Sequence, residues 1–189
     1  MSFFERYRHQ ITLHIIILIW GFTGILGKVI TIPYYSIVIY RMGIAFLALL
    51  IYLLITKKPF EKSLKKIALF ILVGILVGAH WATFFQAIKV SNVSVTLTTL
   101  ASTSFFVAFL EPLFFKRKII WYEVFFGLLV VLGLYLIFSF ETQYQLGIIL
   151  ALFSALTAAI FSVINGRLVI KSSAGQITMY EMLGGVLGI

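Results

Sequence analysis

Six runs of mostly apolar residues set the terms for this chain, because each reaches the roughly 20 residues that a helix needs to cross a bilayer. They cover Ile11–Ile30, Tyr35–Ile55, Ile67–Ile88, Val93–Phe115, Ile119–Phe138 and Leu146–Asn165. A seventh begins near Ile177 and offers about 13 residues, too few to span at about 1.5 Å per residue. The run from Ile11 is too long for a signal peptide, and no small-residue cleavage site follows it. It reads as a retained first helix.

Composition closes off other classes. The chain is 62% hydrophobic and 11% charged, where a soluble domain is about half apolar and about a quarter charged. A soluble fold of this size cannot hide so much apolar surface. Cysteine is absent, which excludes disulfides and thiolate metal sites. Aspartate is absent too, which removes aspartyl dyads and most carboxylate-rich metal cages. No cofactor or metal is expected. The net charge of +9 raises nucleic acid as a partner. The basic residues, however, sit in short clusters between apolar runs, so topology accounts for them instead.

Those clusters alternate. Arg6 and Arg8 precede the first run, and Lys57, Lys58, Lys62, Lys65 and Lys66 lie between the second and third. Lys116, Arg117 and Lys118 separate the fourth and fifth, and Arg167 and Lys171 follow the sixth. The other loops carry only Lys28 and Lys89, and the connection around Glu141 has no basic residue. The bias predicts a multi-pass protein of the cell (inner) membrane with its N-terminus in the cytoplasm.

An internal likeness organises the spans further. Gly27-Lys28-Val29-Ile30 leads through a short loop to Ser36-Ile37-Val38-Ile39-Tyr40-Arg41-Met42. Gly166-Arg167-Leu168-Val169 leads likewise to Gln176-Ile177-Thr178-Met179-Tyr180-Glu181-Met182, with spacing equal to within one loop residue. The second copy begins five helices after the first, and a repeat of odd helix number inserts with inverted topology. Inverted repeats mark secondary transporters, whose substrate site lies near the midplane between the halves. The expected fold class is all-α transmembrane: a polytopic helix bundle with an inverted five-helix repeat. Residues 1–138 form the first repeat and 139–189 a truncated start of the second, ten helices being expected in a full-length protein. A chain that stopped naturally at Ile189 would have to pair as a homodimer to transport.

Several stretches resemble the EamA-type transporters of the drug/metabolite transporter superfamily. They are Leu18-Ile19-Trp20-Gly21-Phe22-Thr23-Gly24, Tyr40-Arg41-Met42, Ala87-Ile88-Lys89-Val90-Ser91 and Gly127-Leu128-Leu129-Val130-Val131-Leu132-Gly133. The resemblance implies ten helices and the export or exchange of small metabolites such as amino acids. The chain departs from the family pattern where Gly-Glu usually precedes a basic residue at the end of the fourth helix. Here that place reads Phe115-Lys116-Arg117-Lys118, with Glu111-Pro112 earlier.

Polar residues at membrane depth are costly and usually face the bundle interior or a cavity. Arg41 either snorkels to the outer interface or attracts a substrate carboxylate. Its repeat counterpart Glu181 falls near the inner end of its own helix, so the two are not expected to pair. The third run carries His80, Trp81, Thr83 and Gln86, with Gly74-x-x-x-Gly78 as a close-approach surface. His80 lies about 200° from Gly78 at about 3.6 residues per turn, which points it to a cavity or to a bond with a neighbouring helix. Thr96, Thr99 and Thr103 share a face of the fourth run and either pack helices or line a wet pathway. Glu111 beside Pro112 is either neutralised by the adjacent basic cluster or a coupling carboxylate. Trp20, Thr23 and Tyr40 are aromatic and hydroxyl candidates for a cavity wall, or packing residues and anchors. The candidate substrate-binding set is therefore Trp20, Thr23, Tyr40, Arg41, His80, Trp81, Thr83, Gln86, Thr99 and Thr103.

Three function classes compete. A secondary transporter working by alternating access on a small-molecule solute fits the repeat and the polar residues. No Walker A motif supplies an ATP-driven alternative. An intramembrane enzyme lacks its motifs, with no H-E-x-x-H, G-x-S-x-G or aspartyl dyad. A non-transporting scaffold or channel-like bundle remains the alternative, although neither a filter nor a charged ring is visible.

Overall fold

The computed structural model describes residues 3–140 and 142–189. Glu141 and the side chain of Arg6, both used to read orientation, lie outside the described residues. The described backbone is helical, without strands: α1 Phe3–Val29, α2 Tyr34–Ile55, α3 Leu64–Val90, α4 Val93–Leu100, α5 Thr103–Phe115, α6 Trp121–Phe140, α7 Gln145–Leu168 and α8 Ala174–Leu187. A single 3₁₀ turn, Thr142–Tyr144, leads into α7. Helices are the expected outcome in lipid, because they satisfy every backbone donor and acceptor within the segment.

Six stretches are long and apolar enough to cross a membrane, and they coincide with the six runs read from the sequence. α1 begins eight residues before the apolar run, at Phe3. The fourth span is broken rather than continuous. Asn92 caps α4 by accepting from the Val95 amide. At Ala101–Ser102 the helix tightens, with Ala101 donating to both Leu97 and Thr98 and Ser102 donating to Thr99. The hydroxyls of Ser102, Thr103 and Ser104 donate back to carbonyls three residues earlier, which competes with the regular ladder at this turn.

α3 is the axis of the bundle. α7 and α8 pack against it on different sides, and α2 and α1 lie alongside. The α3–α8 crossing is built on glycine. A side chain at Gly74 would strike the backbone of Glu181, and one at Gly184 would strike the backbone of Ile71. Gly78 faces Gly185 in the same way. With lipid as apolar as the side chains, such close backbone approach is what drives association. α5 joins the bundle through α7 and carries α6 on its outer side.

The loops tie α3 and α8 at one end. Gln176 Nε2 donates to the Pro59 carbonyl, and Lys66 Nζ reaches Ser172 Oγ at 3.5 Å. Glu61 accepts from the amides of Lys62 and Ser63 and from Lys66 Nζ at 2.9 Å. The Lys66 bond, then that of Ser63, holds this carboxylate below its ordinary range. α2 ends in a Schellman motif: Lys58 donates to Leu53, Lys57 donates to Leu54, and Lys57 takes φ 50° where glycine is usual. At the opposite end two lysines cap each other's helices. Lys28 Nζ donates to the carbonyls of Ile88 and Ser91, and Lys89 Nζ donates to that of Ile30. Both lysines thus satisfy carbonyls that a helix C-terminus leaves open.

Candidate functional site

A cleft of about 270 Å³ opens where α1, α2 and α3 meet near the lysine-capped end. α1 contributes Thr23, Leu26 and Gly27, and α2 contributes Ile37, Tyr40 and Arg41. Phe85 of α3 forms the back wall. Gly27 is required there, because a Cβ would meet the Phe85 ring at 2.7 Å. The helix register explains the rest. Thr23 and Gly27 are four apart, as are Ile37 and Arg41, so each pair projects from one face.

The chemistry of the cleft is set by Arg41. Its guanidinium carbon lies 3.7 Å above the centre of the Trp81 ring. Trp81 in turn stacks with Phe85 at 5.7 Å and meets the His80 ring edge-on at 4.9 Å. The aromatic face holds the cation without neutralising it. Among the described residues no carboxylate pairs with Arg41. A positive group therefore sits on an apolar, aromatic-backed wall.

The expected site residues do not all meet in one place. Thr23, Tyr40 and Arg41 line the cleft, and Trp81 supports it. Trp20 is on the same helix but stands 65% exposed on the outside of the bundle, away from the cleft wall. His80 does not face open space. It is buried between α3 and α7, with Nδ1 at 2.9 Å from the Ser154 carbonyl. Ser154 Oγ donates to the His80 carbonyl at 3.0 Å. The helical wheel placed His80 opposite Gly78 correctly. At the level of His80, however, α7 lies against this side of α3, as the Ser154 contacts show, while α8 takes the glycine face. Thr83 donates back to Ala79, and Gln86 is half-buried on the same helix.

The hydroxyl stripe also divides. Thr96 and Thr99 are fully buried, and Thr99 Oγ1 finds no partner. Thr103 lines a second cleft of about 570 Å³ between α5 and α6, together with Ser104, Glu111, Tyr122 and Glu123. There Arg117 Nη2 donates to Glu111 at 2.9 Å and to Glu123 at 3.2 Å. Glu111 first, then Glu123, stabilises the charged guanidinium and raises its pKa. Glu111 is thus neutralised by the adjacent basic cluster, through Arg117 itself.

Sequence reasoning missed Phe85 and Ile37 in the cleft and Ser154 as the partner of His80. Ser154 had a signal: it lies in a small-residue stripe with Gly147, Ala151, Ala155 and Ala158 of α7, the composition of a packed membrane interface. Phe85 and Ile37 had none, since apolar residues face lipid and cleft alike.

In comparison with known proteins, residues 10–139 match the family model described as the EamA-like transporter family. The searches of curated proteins and of solved structures found no match.

Proposed function

Because the chain belongs to the EamA-like transporter family, whose members are membrane transporters, we propose that it carries small organic metabolites such as amino acids across the cell membrane. The observation that carries this reading is the unpaired Arg41 on the wall of the α1–α2–α3 cleft. Its guanidinium offers two parallel donors to a carboxylate, while Tyr40, Phe85 and Ile37 suit the apolar part of the same solute. Residues 1–138 act as one repeat and residues 139–189 begin a second of opposite orientation, with alternating access arising as the two rock about the site. The reading places the N-terminus in the cytoplasm and export or exchange as the mode. It assigns no cofactor, no nucleic acid and no enzymatic step, and it allows a homodimer.

The test is flux in proteoliposomes, screening amino acids first. Arg41→Gln is expected to cut carboxylate-solute flux by at least about tenfold, the size of one lost charge-assisted bond. Arg41→Lys should recover part of it, since the charge stays and the fork is lost. An Arg41→Gln protein that transports normally, or a wild type that moves no solute, would remove the cleft from the mechanism.

A further inference from the structure

The charge balance of the α1–α2–α3 cleft is one-sided. Its lining holds one cation, Arg41, and two hydroxyl groups, those of Thr23 and Tyr40. The remaining wall is glycine, leucine, isoleucine and phenylalanine. Two more cations stand at the rim. Lys89 Nζ donates to the carbonyl of Ile30, itself a lining residue. Lys28, next to the lining residue Gly27, donates to the carbonyls of Ile88 and Ser91. Carbonyl oxygens hold these ammonium groups without cancelling their charge. Among the described side chains no carboxylate balances the three cations. Glu61 pairs with Lys66, Glu111 and Glu123 pair with Arg117, and Glu181 is buried where α8 meets Gly74. The chain has no aspartate to add.

Arg41 is also open to a ligand. Its contact with the face of the Trp81 ring consumes no hydrogen-bond donor. Among the described residues its guanidinium has no acceptor, and none of its nitrogens is among the buried unpartnered atoms. Its N–H groups therefore reach accessible space.

We propose that this cleft takes apolar monocarboxylic acids that carry no ammonium group, and that it discriminates against zwitterionic amino acids of the same size. The proposal narrows the solute class given above and rests on that reading of the cleft as the solute site. The two classes share the carboxylate, which Arg41 serves equally well. They differ at the ammonium, which brings three donors and a full charge. In this cleft it meets two neutral hydroxyls and three cations. It leaves water for an apolar wall without a counter-charge, the costly case for a buried ion. The cations repel it as well, while they steer a net-negative acid inward. A 2-oxo group in the same position is neutral and accepts a hydrogen bond from Thr23 or Tyr40.

Size fixes the test pair. At about 30 Å³ per water-sized group, the cleft of about 270 Å³ holds about nine non-hydrogen atoms. Leucine and 4-methyl-2-oxopentanoate both have that size and the same branched chain, and they differ only at the second carbon. Calorimetry on the purified wild type compares their binding. The 2-oxo acid is expected to bind at least about tenfold more tightly than leucine, and 3-methylbutylamine, with an ammonium and no carboxylate, should not bind. Arg41→Gln should weaken the acid by at least about tenfold. Arg41→Lys should keep the preference for the acid over leucine, which a misfolded protein cannot do. Equal affinities, or tighter leucine, overturn the class.

Flux of the same pair in proteoliposomes separates this inference from the transporter reading. Leucine flux without flux of the 2-oxo acid overturns the class and leaves the transporter standing. Tight, Arg41-dependent binding of the acid without flux of either solute removes the transport reading and keeps the class. A wild type that neither binds nor moves the acid overturns the class outright.

Discussion

α6 and α7 are alike in hydropathy and opposite in environment. Only 11% of the most apolar stretch of α6 is buried, against 50% of that of α7. The difference lies in size and polarity, not in apolar character. α7 buries Gly147, Ala151, Ser154, Ala155, Thr157, Ala158 and Ala159. α6 buries Val124 and Gly127 and turns Phe125, Phe126, Leu128, Leu132 and Tyr135 outward. In water the large apolar residues would be inside. In lipid they have no reason to be, and small residues that let backbones meet mark the interior.

Substitutions test that contrast from its strongest point outward. Gly184→Val puts branched carbon into the Ile71 backbone. It is expected to cost about 3 kcal/mol or more, read as loss of the folded bundle on denaturation in detergent. Ser154→Ala leaves packing intact and removes the hydroxyl's contacts to the His80 carbonyl and Nδ1, while the Ser154 carbonyl still bonds the ring. A loss of about 1 kcal/mol is expected, as for other hydrogen bonds between membrane helices. At the edge of the bundle, Lys28→Met removes the cap on α3 and should cost about 0.5 kcal/mol, visible as faster amide exchange near Ile88 and Ser91. Gly133→Ala on α6 meets nothing within 4 Å. Its effect should stay within about 0.5 kcal/mol, and a large destabilisation there would show that α6 has a packed partner on that face.

Length and apolar composition made the spans legible, and they lie where the sequence placed them, to within a few residues except at the start of α1. The break in the fourth span was written in the hydroxyls at 102–104, whose back-bonding was weighed as packing rather than as a turn. The site was legible in part. Arg41, Tyr40 and Thr23 meet in one cleft because they share helix faces near one end. His80 went elsewhere because a helical wheel gives direction but not neighbours. α7 turned out to cover the side of α3 that carries His80. Glu181 was noticed as the repeat counterpart of Arg41, yet its close fit against Gly74 was invisible, since only the fold brings α8 onto α3.

The glycine crossing of α3 and α8 also sets a timetable. Gly74 meets Glu181 across 107 residues of chain (181 − 74). At about 5–20 residues per second the ribosome needs roughly 5–20 s to make that partner. For those seconds α3 sits in the bilayer with its narrow face covered only by lipid. The first helices therefore cannot settle in the order in which they are made. The axis of the bundle is fixed only by a segment not yet translated when the axis itself enters the membrane.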